Sequence, residues 1–468
     1  SLRANIGSGG RQNGGLSASR KDGRFTTSGD LYLRHDSLKQ PLRGRRDFID
    51  PAGGGPLTEV RRSVNSGTAE VLGTRLGVDY DPDPKTRISA EVDYNSVGFI
   101  FDQRQTLDRT NAAGALRSAY DSAGGQREDR DNLEFTLGYR KKYADDHEFN
   151  VSFVRELSEE DRSRLVLRQF RLPVAPSAFE DTEYRNRFWR TQVKVDYARP
   201  LPGEAKMKVG YEFNADDNDY IVVFGRASGA APAAIDPARS NLFRFDQQVH
   251  ALFGTYERPF GKLTALAGLR VESTRIDLDQ VTQALKSGNN YVRVYPSLHM
   301  GYRLDDNRQL SASYSHRVQR PQPQDYNAFR IYNDPTNLSQ GNPDLKPQQT
   351  DSFELGYQYR KQGTIYLATG YYRRGQDAVN DVFRDLGGGV ILRRNLQGPP
   401  SVAITGDVAA PYTYAVAEGA FATVEAQLAM QGMARRYTGV PLREIIAQAQ
   451  PGPATASAVV TASDGYSF

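Results

Sequence analysis

The chain has no cysteine, one tryptophan and no run of apolar residues long enough for a membrane-spanning helix. The missing cysteine excludes disulfides, thiolate metal sites and cysteine nucleophiles, and it is compatible with an oxidising exterior. A spanning helix needs roughly 20 consecutive apolar residues, and no stretch approaches that. A mean hydropathy of −0.62 reads, taken alone, as water-soluble. Charge of one sign is lacking too: 60 Lys+Arg against 56 Asp+Glu leave a formal net charge of +4, so nucleic acid is not an expected partner. Ser1 opens onto neither a basic nor an apolar leader segment, so a removed signal peptide or an internal piece of a longer chain is expected.

What is present is alternation. Ala205, Met207, Val209, Tyr211 and Phe213 point to one side of an extended chain, and Lys206, Lys208, Gly210 and Glu212 to the other. A transmembrane strand needs about 9–11 residues with every second one apolar, which a hydropathy average does not register. The pattern recurs in pairs around short turns rich in Gly, Pro, Asp and Asn, at 81–86, 144–146, 200–203, 259–261, 305–307 and 361–363. Between the pairs lie longer polar connections, at 37–66, 98–130, 159–181, 214–243, 277–291 and 318–350. Short turns at one end and long connections at the other mark an outer-membrane β-barrel, with periplasmic turns and extracellular loops. The 26 tyrosines and 21 phenylalanines suit its interfacial girdles. Adding weaker strands at 2–6, 16–20, 25–35 and 389–395 gives about 16 strands, an even number within the bacterial range. Lys194, Lys206, Glu212, Arg270 and Glu272 are expected to line the polar interior.

The rhythm stops near Gln397. Spacing of Val424, Leu428, Met430 and Met433 predicts a helix over 421–435, a second helix is predicted over 442–446, and a short strand over 458–461. The expected organisation is therefore all-β: an antiparallel transmembrane barrel over 1–397, then a separate, short α/β-like segment over 398–468.

Residues for chemistry are scarce. His35, His147, His250, His299 and His316 have no ligand spacing, and the acidic stretch 214–219 lacks the glycine and distal glutamate of a calcium loop. No G-x-S-x-G is present. No catalytic residue, metal site or cofactor is expected, and the chain does not read as an enzyme.

The most specific segment is 311–357. It contains Arg320-Pro321, then Gly341-Asn342-Pro343, Leu345 and Pro347, then Glu354, Gly356 and Tyr357. This segment resembles the barrel of TonB-dependent outer-membrane receptors, in their outer membrane β-barrel branch. Tyr295-Pro-Ser-Leu-His299, residues 381–386 and Asn395-Leu396 look similar to the same branch, whereas Gln348 stands where the family usually has glutamate. The resemblance implies a Gram-negative outer membrane with its lipid as surroundings, and a plugged barrel of about 22 strands. It also implies uptake of a ferric siderophore, cobalamin or oligosaccharide, energised through a TonB-type partner. Neither a plug nor a TonB box is visible in the sequence. Physically, the prolines stop the loop from continuing a ladder, so the motif is expected to shape a loop-to-strand junction. Tyr326, Arg330 and Tyr332, within the loop, are the candidates for cargo contact. A passive diffusion porin is the alternative that the strand count permits.

The tail has a resemblance of its own. Residues 402–412, 437–446 and 459–466 look like pieces of the sulfite-oxidase-type molybdopterin-binding fold. That branch ligates molybdenum through a cysteine which this chain lacks, so an oxidoreductase is the less favoured alternative.

Overall fold

The computed structural model describes all residues except 51–54, 335–336, 388–389, 398–400, 406–411, 416–423, 431–432, 440–458 and 463–468. In chain order the first strands are β1 (Leu2–Ile6), β2 (Gln12–Asp22), β3 (Phe25–Asp50), β4 (Gly55–Asp83), β5 (Thr86–Asn111), β6 (Leu116–Ala144) and β7 (His147–Leu172). There follow β8 (Val174–Leu201), β9 (Ala205–Ser228), β10 (Ala234–Ile235), β11 (Asn241–Phe260), β12 (Leu263–Gln280), β13 (Leu285–Arg303) and β14 (Arg308–Gln319). The last are β15 (Ile331–Asp334), β16 (Asn337–Gln340), β17 (Gln348–Lys361), β18 (Thr364–Gln376), β19 (Val379–Gly387), β20 (Val390–Gln397), β21 (Ser401–Thr405), β22 (Tyr412–Ala415), β23 (Val424–Met430), β24 (Met433–Gly439) and β25 (Val459–Ala462).

Sixteen strands form one sheet, in which each long strand pairs with its neighbours in sequence from β1 to β14, β10 lies against β9, and β17 and β18 complete the path. Among the described residues no pairing joins its ends, β1 and β18. The expected turns fall where the sequence places them. Gln362 (φ 48°) and Gly363 (φ 82°) connect β17 to β18 in the left-handed conformations of a two-residue hairpin, and glycine takes the second at no steric cost.

The long connections differ from expectation. Segments 37–66, 98–130 and 159–181 are continuations of the hairpins, not loops: β3 pairs with β4 from Phe25↔Tyr80 out to Asp50↔Gly55. β4 and β6 are each 29 residues long, well beyond the roughly 9–11 needed to cross lipid. Polar residues can hold a strand as well as apolar ones where they pair across it. Here Arg62 meets Asp108 at 3.2 Å, and Arg168 donates to both carboxylate oxygens of Glu180 at 2.8 and 2.6 Å.

Alternation divides the sheet into two faces. Leu76, Leu252 and Leu269 are 60%, 64% and 51% exposed on one, a degree of apolar exposure that water does not tolerate over a whole band. The opposite face is charged: Arg75 meets Asp93 at 2.7 Å and Arg87 meets Asp81 at 2.8 Å. At the aqueous turn joining β4 to β5, the Thr86 hydroxyl and the Lys85 backbone N–H both donate to Asp83 at 2.8 Å. With Lys141 nearby, they draw its carboxyl from 3.8 to about 2.

The chain divides into two compact units, Ser1–His316 with Ser352–Tyr372, and Arg317–Asp351 with Arg373–Phe468. The second contains a four-stranded sheet ordered β15-β16-β20-β19, in which β16 and β20 run parallel. The strand expected at 389–395 is β20 of this sheet and not a stave of the large one; alternation identifies a strand but not its partner. β21 pairs with β22 and β25, so the predicted terminal strand is present. The helix predicted over 421–435 is instead an antiparallel hairpin of β23 and β24, Val424↔Gly439 to Met430↔Met433. Val424, Leu428 and Met430 lie at even spacings, which serve a strand as readily as a helix. The helix predicted over 442–446 lies outside the described residues.

Candidate functional site

Neighbouring strands lie about 4.8 Å apart, so the sheet brings together charges tens of residues apart in sequence. On its polar face Arg190 bridges Asp216 at 2.8 Å and Glu156 at 3.5 Å, and Arg270 bridges Glu272 at 2.6 Å and Glu212 at 3.1 Å. Asn214 donates to Glu212 at 2.8 Å and accepts from Gln192 at 2.9 Å, while Lys208 and Asn150 both reach Asp196, at 3.2 and 3.1 Å. Further along, Arg162 meets Glu128 at 3.0 Å, also contacts Glu160, and lies 5.0 Å over the Tyr184 ring. Every arginine named here meets a carboxylate, which makes the wall polar without making it a trap for one sign of charge.

One feature breaks the phase. Phe253 occupies a polar-face position of β11 where alternation calls for a hydrophilic side chain. Lys194 stands 5.8 Å from its ring and Arg270 5.9 Å. A β-carbon added to Gly210 would come within 2.4 Å of this ring and 2.7 Å of the Val195 carbonyl, so only glycine leaves the ring its seat. The sequence signal for this contact is an aromatic out of phase, Phe253, opposite a glycine, Gly210, on the paired strand, a pairing that alternation within one strand does not report. Of the predicted interior charges, Lys194, Glu212, Arg270 and Glu272 converge here, whereas Lys206 sits at the turn, 2.8 Å from Asp146.

The loop after β14 holds the sequence motif. Pro321 is buried, and a 3-10 turn at Pro323–Tyr326 follows, closed by Gln322 N–H donating to Asp325 Oδ2 at 2.8 Å. Gly341 N–H donates to the Asn327 carbonyl at 2.7 Å and Asn342 N–H to the Asp325 carbonyl at 2.6 Å. A β-carbon on Gly341 would sit 2.4 Å from the Asp325 carbonyl oxygen, so the two backbones can approach only at glycine. Asn342 accepts from the Asp344 N–H at 3.1 Å, and Leu345 is 0% exposed. The motif is thus a backbone staple around a small apolar core.

That core includes Tyr326, at 1% exposure. Burial removes its ring from any solute outside the loop, which corrects the expectation of cargo contact there. Arg330 is exposed, and Tyr332 is half-buried on β15 opposite Leu338. On β17, Glu354 and Tyr357 are exposed, while Gly356 is buried with its absent β-carbon 2.5 Å from Ser311 Oγ. Arg320 is half-buried. Among the described residues no group of three or more His, Cys, Asp or Glu is placed to hold a metal ion.

A large antiparallel sheet with tight turns, an exposed apolar band and a charge-paired opposite face defines the wall of an outer-membrane β-barrel. The chain belongs to the outer membrane protein beta-barrel family, which matches residues 140–405, more than half of its length. Its place is therefore the Gram-negative outer membrane. Among solved structures, the copper transporter OprC is similar at 14% identity and a TM-score of 0.50, covering 89% of this chain and 61% of OprC. The unliganded ferric citrate transporter FecA is 12% identical at a TM-score of 0.47, covering 78% of this chain and 51% of FecA. The siderophore receptor PiuA from Acinetobacter baumannii is 11% identical at 0.47, with 98% and 69% covered. These likenesses concern the fold, and the chain spans about half the length of FecA. No curated protein sequence matches it. The family match ends at residue 405, and the molybdopterin resemblance of the tail finds no support in these matches.

Proposed function

We propose that the chain forms the wall of an outer-membrane receptor for a scarce nutrient of the ferric-siderophore, cobalamin or oligosaccharide class, with uptake energised through a TonB-type partner. The observation that supports this most is the charge-paired polar face with its cation-flanked ring at Phe253, set opposite an exposed apolar band. Such a wall offers a large polar solute many modest contacts and no deep charge trap. Three proteins that share features of the fold carry names of copper, ferric citrate and siderophore transport or reception. In this reading residues 1–397 are the barrel portion, with the large sheet through β18 as its wall, and 398–468 are a separate segment; Arg330 and Tyr332 contact cargo, and the motif from Arg320 to Tyr357 shapes the loop. The process is transport, not catalysis.

The test is disruption of the gene in its own cell, followed by growth and uptake on a panel of ferric siderophores, cobalamin and oligosaccharides. Loss of one uptake, equally lost in normal cells after an uncoupler, is expected. Flux that persists under the uncoupler and falls smoothly with solute size instead indicates a diffusion porin.

A further inference from the structure

A groove of about 710 Å³ crosses β3 to β7. Its floor is one row straight across the sheet: Pro41 opposite Val64, Val64 opposite Arg104, Arg104 opposite Ala123, and Ala123 opposite Leu167. Ala123 is short between two long neighbours, which makes the trough. Val64 shares the phase of Leu72, Leu76 and Val78, so the groove lies on the lipid-side face and not on the polar wall that cargo would follow. It also lies beyond the bilayer: Arg104 is roughly 10 residues past Tyr94, and at about 3.3 Å per residue with a strand tilt near 45° that is roughly 20 Å above the apolar band.

The charges of the groove are unbalanced. Arg43 stands directly opposite Arg62, an arrangement of like charges that destabilises a strand pair unless an anion lies between them. Arg62 is shared with Asp108 at 3.2 Å, and Asp121 at the rim is taken up by Arg171 at 2.9 Å. Among the described residues Arg43 and Arg104 make no hydrogen bond or ion pair through their side chains. Val64 and Leu167 remain 46% and 39% exposed between them.

We propose that this groove binds the phosphorylated core saccharide of the lipopolysaccharide surrounding the barrel. The site faces outward at the height of the surface glycan, too far out for acyl chains. Its arginines match phosphate in the bidentate manner of guanidinium groups, and its aliphatic floor matches the C–H faces of sugar rings. The contact anchors the extended hairpins in the glycan layer, a role separate from uptake.

The experiment uses the full chain, extracted from a Gram-negative outer membrane into detergent, titrated with delipidated core oligosaccharide. Heat-modifiable gel migration verifies folding of each variant. The expected result is saturable binding, weakened about tenfold or more in R43Q/R104Q, in A123F, which fills the trough, and after enzymatic dephosphorylation of the oligosaccharide. Undiminished binding in the folded double variant, or equal binding of the dephosphorylated saccharide, overturns the proposal. So does inorganic phosphate alone binding as tightly as the oligosaccharide.

Discussion

Gly341 and Asp83 show how single residues hold the two kinds of connection in this protein. At Gly341 a side chain of any size meets the Asp325 carbonyl, so Gly341→Ala is expected to destabilise the loop by about 1–3 kcal/mol. Limited proteolysis should then cut within 320–347 sooner, while heat-modifiable migration of the wall stays unchanged. At Asp83 the carboxyl lies below its ordinary value in the folded state because the Thr86 hydroxyl and the Lys85 N–H bond its charged form. A group depressed on folding adds stability above its unfolded pKa and loses it as pH falls through the folded one. The contribution is therefore present above about pH 4 and gone near pH 2, the window between 3.8 and about 2. Unfolding curves of wild type and Asp83→Asn are expected to differ at pH 6 and converge towards pH 2; a constant difference would contradict this origin. The importance of Gly341 was legible as a motif, but its cause was not. Asp325 and Gly341 become neighbours only once the 3-10 turn has folded back.

Strands were the most readable elements. Period-2 alternation marked most long staves, and Gly, Asp and Pro marked their tight turns, because both signals are local. Strand length was not readable beyond the lipid. Past Tyr94 the outward positions lose their continuous apolar run, with Ser96, Gly98, Asp102 and Arg104 around a single Ile100, as in a loop, and cross-strand partners such as Arg62 with Asp108 hold the ladder. The assigned faces make a contrast at adjacent positions. Leu269→Arg places a charge on the apolar band and is expected to cost about 2–4 kcal/mol near the bilayer midplane. Its neighbour Arg270 already carries a charge at no such cost, since it faces Glu212 and Glu272. Folding yield into lipid vesicles, measured for Leu269→Arg and for Arg270→Lys, should fall steeply for the first and little for the second. Equal losses would reverse the assignment of faces.

At the scale of the molecule, two compact units are built by different rules. The large sheet pairs strands next to each other in sequence, and that regularity made a barrel legible from the chain alone. In the other unit β16 pairs in parallel with β20, from a segment more than fifty residues away, which no local pattern reports. The proposed uptake belongs to this scale as well. Replacing Phe253 with alanine in the cell is expected to slow uptake of the cognate nutrient several-fold, since two cations lose the ring they flank. Outer-membrane levels, measured in parallel, should stay the same.

Class and location were thus written in the sequence: alternating side chains, tight turns and aromatic residues determine a lipid-facing β-wall through interactions within a few residues. The motif around Gly341 pointed to the family for the same local reason. Tertiary structure decided what depends on distant partners. It turned expected loops into long hairpins, buried Tyr326, seated Phe253 on Gly210 and set Arg43 against Arg62. Register across strands fixes each of these contacts, and a strand's own residues do not reveal which strand will lie beside it.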